Sequence, residues 1–311
     1  MSRVAIIGAG MAGLACARRL AEAGHQPILF DKGRGIGGRM ATRRAGALRF
    51  DHGAQYVTAK QAGFAAVLSD LAKAGAAAKW DDGAARTHFV GTPGMSSIPK
   101  ALGAGLDIRQ GQRVTSIMRD NGGWSIHTEG EVHRSGHVVI TVPAPQVAEL
   151  IGAEHPLVQQ ITDVRMAPCL TLMAAIDAPA PFISQRDDYG PFASIIQDSS
   201  KPGRPESTAT AWVAQASLEF TRAHLEEGTP QLAERMLPLL CERLGVSQDR
   251  VQHAAAHRWL YARVTTPLGQ PFARGEGGTL YLGGDWCLGA RVEAAWTSGT
   301  AIAEDLVERL G

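Results

Sequence analysis

Three separated stretches of this chain carry the residue types and spacing of a nucleotide-cofactor site. They are Gly8-Ala-Gly10-Met-Ala12-Gly13, then Asp31-Lys32-Gly-Arg-Gly-Ile-Gly37-Gly38-Arg39-Met40, and finally Gly283-Gly284-Asp285, with Val292-Glu293 soon after. Glycine turns bare their backbone amides to a diphosphate, and a carboxylate about 20 residues further on can accept hydrogen bonds from both hydroxyls of an adenosine ribose. An acid at that place favours a ribose without a phosphate. No convincing Ser/His/Asp set and no paired carboxylates stand out elsewhere. The four cysteines, Cys16, Cys169, Cys241 and Cys287, have no close pair and no zinc-like spacing, so no metal site is expected and reduced thiols in a cytoplasmic protein are.

The elements that must hold these residues are legible around them. Val4-Ala-Ile-Ile7 has the pattern of a buried strand, and Leu14 to Leu20 has a helical apolar period, so the first glycines form the turn between strand and helix. Gly8 permits the turn, Gly10 lets a pyrophosphate approach, and Gly13 lets helix and strand pack closely. Gly24 ends the helix, and a second strand, Ile28-Leu29-Phe30, delivers Asp31. Pro27 departs from the usual apolar residue but, at a strand start, removes only one donor. This unit alone suits NAD and FAD equally. The second glycine segment, directly after the acid and with Arg34 and Arg39 adding charge, lets backbone amides face a longer cofactor and so points to a flavin dinucleotide. Leu280-Tyr-Leu282 predicts a strand ending at Asp285, whose carboxylate can accept from a ribityl hydroxyl. The final helix from Val292 would aim its positive end at the reduced flavin, with Glu293 either a cofactor neighbour or simply a favourable acid in a first turn.

Bulk properties limit the partners. The chain has 311 residues and a net charge of +1, with no basic stripe interleaved with aromatics, which argues against nucleic acid. Arg3 and the apolar run after it superficially suggest a signal peptide, yet that run is the first strand and turn of a nucleotide fold. No stretch approaches the ~20 apolar residues that cross a bilayer, and the last helix is amphipathic, so no membrane partner is expected. Nothing in the sequence specifies an oligomeric state.

Gly37-Gly-Arg-Met-Ala-Thr-Arg-Arg44, Phe50-Asp-His-Gly-Ala-Gln-Tyr56, Thr141-Val-Pro-Ala-Pro-Gln146, Gly284-Asp-Trp286 and Arg291-Val-Glu-Ala-Ala-Trp296 together resemble the renalase family, its bacterial branch in particular, within the flavin amine oxidase superfamily. The resemblance runs from residue 3 to the last helix and is most specific in residues 37 to 56 and 283 to 299. It implies an α/β fold: a Rossmann-type FAD-binding domain of the p-hydroxybenzoate hydroxylase-like, two-domain type, with an α+β substrate domain. It implies that Gly53, Ala54 and Gln55 run past the isoalloxazine ring and that main-chain groups of Val114 meet the adenine edge. Tyr56, Trp212 and Trp259 are the candidates for lining the substrate pocket, with Tyr261 a further one. Cys287 does not match the cysteine that carries flavin covalently in some relatives, so a noncovalent FAD is expected.

The implied reaction needs no general base. Its substrates are the 2-dihydro and 6-dihydro isomers of NAD(P)H, small dinucleotides whose ring becomes aromatic on losing hydride to the flavin, after which O2 becomes hydrogen peroxide. Arg186, Arg258, Arg263 and Arg291 are the candidates for meeting phosphates of the substrate. Two other readings stand beside it: an amine or amino acid oxidase on the same fold, and a flavin-binding interaction protein without significant catalysis.

The expected organisation is discontinuous, with residues 1–59, 95–155 and 272–311 in the FAD-binding domain and 60–94 and 156–271 in the substrate domain. Helices are expected at 64–73, 96–102 and 229–244, the last with Thr229 as its N-cap, and strands at 169–176, 208–215 and 255–261. Residues 106–142 alternate apolar and polar as a β-meander ending in the buried strand His137–Val142.

Overall fold

In a computed structural model that describes residues 4–275 and 277–311, the central element is a six-stranded sheet. Arg3 lies outside the described residues. The sheet joins strands Ala273–Arg274, Leu280–Leu282, His137–Ile140, Val4–Ile7, Ile28–Asp31 and Asp107–Gln110 in that order. All neighbours run parallel except the short first strand, which is antiparallel to the second. Both faces are buried, as parallel sheets require. Val4, Ile6, Leu29 and Val139 face helices Met11–Glu22 and Val292–Leu310, while Ala5, Ile7, Phe30 and Ile140 face the three-stranded meander of Val114–Asp120, Gly123–Thr128 and Val132–Ser135. The meander is thus shorter than its sequence pattern suggested: the strands flanking it, Asp107–Gln110 and His137–Ile140, leave it for the parallel sheet. Alternation marks a strand but not the sheet it joins.

A second sheet has five antiparallel strands in the order Ser184–Arg186, Phe192–Gln197, Thr210–Ala216, Arg165–Ile176, Val251–Thr266. One face packs on helix Thr229–Leu244 through Leu170, Leu172, Ala174, Trp212, Leu232, Met236 and Leu240. The other face receives the hairpin of Thr42–Ala45 and Leu48–Asp51, whose Phe50 is buried among Met173, Ala175, Ala211 and Val213. The long helix starts one residue earlier than a Thr229 cap would allow. Gly228 holds the N-cap, with Thr229 and Pro230 in the first turn, where a proline loses no intrahelical bond.

Among the described residues no helix is long and apolar enough to cross a membrane, and no cluster of His, Cys, Asp and Glu could hold a metal ion. All four cysteines are buried and free.

Candidate active site

The nucleotide end of the site begins where strand Val4–Ile7 turns into helix Met11–Glu22. Gly13 is forced by close approach: a Cβ there would lie 2.0 Å from the carbonyl oxygen of Gly8. Gly10 is different, because a Cβ on it would meet nothing within 4 Å and would project into open space. Gly8 donates its N–H to Phe30, and Thr141 binds the carbonyls of Ile7 and Gly8, so the turn is locked between neighbouring strands. Asp31 ends its strand with one carboxylate oxygen accepting from Ala9 N–H and the other from Gly33 N–H, both at 2.7 Å. Each oxygen keeps a second lone pair. Beside it, Gln112 donates its backbone N–H to the Asp31 carbonyl, and its own side-chain oxygen is buried without a partner. An open space before Gly10, free acceptor capacity on Asp31 and an orphaned acceptor on Gln112 together fit an adenosine diphosphate. Lys32 is exposed, whereas Met40 is buried in the core and can meet a ligand only through its backbone. Val114 opens the meander next to a break in strand register, which frees main-chain groups there.

The distant third segment joins the second by a forked ion pair. Arg39 donates to both oxygens of Asp285, at 2.8 and 2.7 Å, and also to the carbonyl of Ala262. The Arg39 carbonyl in turn accepts from Ala54 N–H at 2.8 Å and presses on Gly53 so closely that a Cβ there would lie 1.9 Å away. Gly38, Arg39, Gly53, Ala54 and Asp285 therefore form one surface. Glu293 sits in the first turn of the last helix, almost fully buried, where one oxygen accepts the N–H groups of Lys60 and Gln61 at 2.7 and 2.8 Å. Its other oxygen faces Arg291 at 3.3 Å. This carboxylate ties a loop to the helix start, and Val292 beside it packs on the neighbouring core. Cys287 is buried, which pushes its thiol up to about 12 and leaves it protonated.

The five-stranded sheet supplies the facing wall. Arg186, Ser194, Gln215, Thr171 and His257 are register partners across all five strands and so share one face. Gln215 donates to the Gly53 carbonyl at 2.8 Å, and its side-chain oxygen accepts from Ser194 and Arg263. One row on, Trp259 donates to the carbonyl of His52 at 2.8 Å and stacks on the His52 ring. Trp259 thus stands on the cofactor side of the sheet. Trp212 does not: it is an even-numbered neighbour of Gln215's set and points to the opposite face, buried against the long helix and bonded to Thr210. A strand alternates its side chains, and the expectation that Trp212 lines the pocket is corrected on that ground. Tyr56 is half-buried, with His88 stacked on its ring at 3.7 Å between centroids and the Arg186 guanidinium 5.7 Å away. Of the four arginine candidates, Arg186 and Arg263 face this wall. Arg258 turns to the carbonyl of Leu225 on the other face, and Arg291 pairs with Glu293.

Behind the Asp51–Tyr56 segment lies an ionic cluster that sequence reading missed. Lys201 contacts Asp51 at 3.1 Å, Asp198, and the Gln55 side-chain oxygen at 3.3 Å, while Arg204 binds both acids. Burial alone would raise the Asp198 carboxyl, but Lys201 and Arg204 outweigh it and hold it below the usual carboxylate range. Burial and the Asp198 charge leave Asp51 raised. Gln55 returns two bonds to the carbonyls of Asp51 and Gly53, so the cluster fixes the segment from within. The spacing of Asp198, Lys201 and Arg204 around a turn was the available signal, but nothing in it names Asp51.

Comparison with known proteins places this geometry. Residues 6–71 match the NAD(P)-binding Rossmann-like domain, and residues 62–307 match the flavin containing amine oxidoreductases. Short stretches are similar to carotenoid enzymes: 56% identity over 39 residues to 15-cis-phytoene desaturase of Synechococcus elongatus and 46% over 50 residues to 4,4'-diapophytoene desaturase of Staphylococcus haemolyticus. These stretches cover 12% and 16% of this chain and only 8% and 10% of those relatives. Among solved structures, a putative protoporphyrinogen oxidase from Exiguobacterium sp. 255-15 superposes with a TM-score of 0.82 at 12% identity, over 99% of both chains. Putrescine oxidase superposes with a TM-score of 0.72 at 14% identity, again over 99% of both chains. At such identities the likeness is one of fold. Since the family match spans residues 62–307 and the Rossmann-like match supplies the strand, turn and helix before it, the chain belongs to the flavin containing amine oxidoreductases, with FAD as its cofactor.

Proposed function

We propose that this chain oxidises isomeric dihydronicotinamide dinucleotides, the 2-dihydro and 6-dihydro forms of NAD(P)H, with FAD bound noncovalently. The observation that carries the reading is the charge of the substrate-facing wall. Arg263 and Arg43 are exposed guanidiniums without a carboxylate partner among the described residues, set beside His52, His257 and Trp259. Burial, then Arg43, lowers His257 from its ordinary range; His52 is lowered by burial, then by His257 and Arg43, to about 4. The acids nearby are already committed: Asp285 to Arg39, Glu293 to backbone amides and Arg291, and Asp51 and Asp198 to the buried cluster. A wall of positive charge and neutral imidazoles suits an anionic dinucleotide and repels a protonated amine.

Residues for a general base are not needed. FAD, held by the glycine turn, Asp31 and the Arg39–Asp285 surface, would supply the two-electron chemistry by which isomeric NAD(P)H, O2 and a proton would become NAD(P)+ and hydrogen peroxide. The chain's own task is positioning. Trp259, fixed through the His52 carbonyl, offers an aromatic face to a planar ring, and Gln215 and Gln55 hold the Gly53 carbonyl so that the flavin-side surface does not shift. Tyr56, backed by His88 and Arg186, borders the same segment.

Anaerobic mixing of the holoenzyme with each separated isomer, with ordinary NADH and with a set of amines tests this reading through bleaching of the flavin band. Rapid bleaching by an isomer with NAD+ as product is expected. Bleaching by an amine alone would replace the reading with an amine oxidase, and bleaching by none would replace it with a binding role.

A further inference from the structure

The hairpin of Thr42–Ala45 and Leu48–Asp51 presents one face to the five-stranded sheet. Arg43 stands opposite Phe50 in its register and Ala45 opposite Leu48, so these four side chains leave the hairpin on the same side. Phe50, Ala45 and Leu48 pack on the sheet, while the Arg43 head group stays exposed at the open end of the row. Across the seam the long strand Val251–Thr266 supplies imidazoles. His253 lies 5.8 Å from the Phe50 ring, and His257 follows on the same strand face. The His52 ring meets His257 edge-on at 4.9 Å.

Two features of this seam are unresolved by the protein's own contacts. His52 is 6% exposed, yet its Nδ1 has no hydrogen-bond partner, and neither has the buried Nε2 of His253. Arg43 has no ion pair or hydrogen bond among the described residues, although its charge is felt at both His52 and His257. Buried polar atoms in native proteins are nearly always satisfied; the Phe50 backbone and the Asp198 charge favour the His52 imidazolium only weakly against burial, and the unpartnered ring nitrogens together with an unpaired guanidinium lack what one anion supplies.

We infer that the seam between Arg43, His52 and His257 is a binding subsite for an anionic group of the phosphate class. Arg43 provides the forked guanidinium that suits phosphate oxygens, and each neutral imidazole can donate from one ring nitrogen. The subsite lies next to the His52–Gly53 peptide, within the cofactor-side wall. If the substrate reading above is right, the diphosphate of the dinucleotide is its occupant. That identification rests on the reading; the subsite itself does not.

Calorimetric titration of the FAD-loaded protein with inorganic pyrophosphate tests the inference, since the cofactor's own diphosphate then fills the glycine turn. Arg44 gives the control, because it leaves the same strand on the opposite face. Arg43→Gln is expected to weaken pyrophosphate binding roughly tenfold or more while Arg44→Gln leaves it unchanged. No binding to the parent protein, or equal loss in both variants, overturns the subsite. A raised KM for a dihydronicotinamide isomer in Arg43→Gln, with kcat retained, identifies the occupant as the dinucleotide; an unchanged KM with lost pyrophosphate binding identifies a free anion. Pyrophosphate binding that depends on Arg43 in a protein whose flavin no isomer bleaches keeps the subsite and removes the substrate reading.

Discussion

The side-chain amide of Gln215 donates to the carbonyl oxygen of Gly53 at 2.8 Å, and its orientation is set by Ser194 and Arg263, which both donate to its oxygen. Substituting Leu at 215 removes one of the two amides that reach Gly53 and should cost about 1 kcal/mol. Gln215→Glu keeps the shape but turns a carboxylate oxygen toward the Gly53 carbonyl, so it should be the less stable of the two and should shift the flavin visible band further. Urea denaturation with parallel absorption spectra decides: equal stability and equal spectra in the two variants would show that the amide is not an anchor.

Gly10 and Gly13 should separate cofactor binding from folding. A Cβ at 13 collides with the Gly8 backbone, so Gly13→Ala should destabilise the apo protein by several kcal/mol, about what overpacking a rigid site costs. A Cβ at 10 touches nothing, and the backbone there is in an ordinary extended conformation. Gly10→Ala should therefore fold as well as the parent and bind FAD roughly tenfold or more weakly, because the methyl fills space the diphosphate needs. Melting of the apo forms and FAD titration by fluorescence quenching measure the two effects; a Gly10→Ala protein with unaltered FAD affinity would contradict the assignment of that space.

His52 should make stability depend on pH. Burial, then His257 and Arg43, push its imidazole from 6.5 down to about 4. Between those values the unfolded chain binds the proton and the folded chain does not, so stability rises with pH through this window and is lost as pH falls from 6.5 toward 4. The loss from this one group is roughly 3 kcal/mol. His52→Asn should flatten that part of the profile. Denaturation midpoints of both proteins from pH 4 to 7 provide the check, and parallel profiles would mean that other groups carry the dependence.

The buried cluster should respond to charge balance more than to any single contact. Lys201→Met leaves two buried carboxylates facing Arg204 alone, which should cost roughly 3–5 kcal/mol. Adding Asp198→Asn restores the balance and should recover part of that loss. A double variant less stable than Lys201→Met in thermal melting would refute this account.

How much of this was legible beforehand depended on whether a residue's role is local. The turn around Gly8–Gly13 and the acid at 31 were readable because strand, glycines, helix and second strand follow one another in sequence. Asp285 was readable because a strand ends just before it. Its pairing with Arg39 was not, since neither residue carries a mark of the other. Trp212 and Gln215 lie on one strand with opposite orientations, and an apolar strand buried on both sides gives no clue to which face meets the cofactor. An indole marks itself in the sequence as a candidate pocket wall, whereas the glutamine three positions on carries no such mark. Likewise, the alternation in residues 106–142 specified strands but not that the first and last of them belong to the central sheet.

Arg39 and Asp285 are 246 positions apart, and in the same region Gly299 of the last helix rests against the backbone of Ala12, where a Cβ would come within 2.0 Å of its carbonyl oxygen. The surface that receives the cofactor is therefore completed by segments far apart in the sequence. During synthesis the glycine turn at Gly8–Gly13 emerges well before the helix from Val292 and cannot be finished until that helix has left the ribosome. A topology so rich in distant contacts folds slowly, and the unfinished turn must stay exposed meanwhile. FAD capture then follows the docking of the helix from Val292 on the glycine turn, and its appearance reports that these distant segments have met.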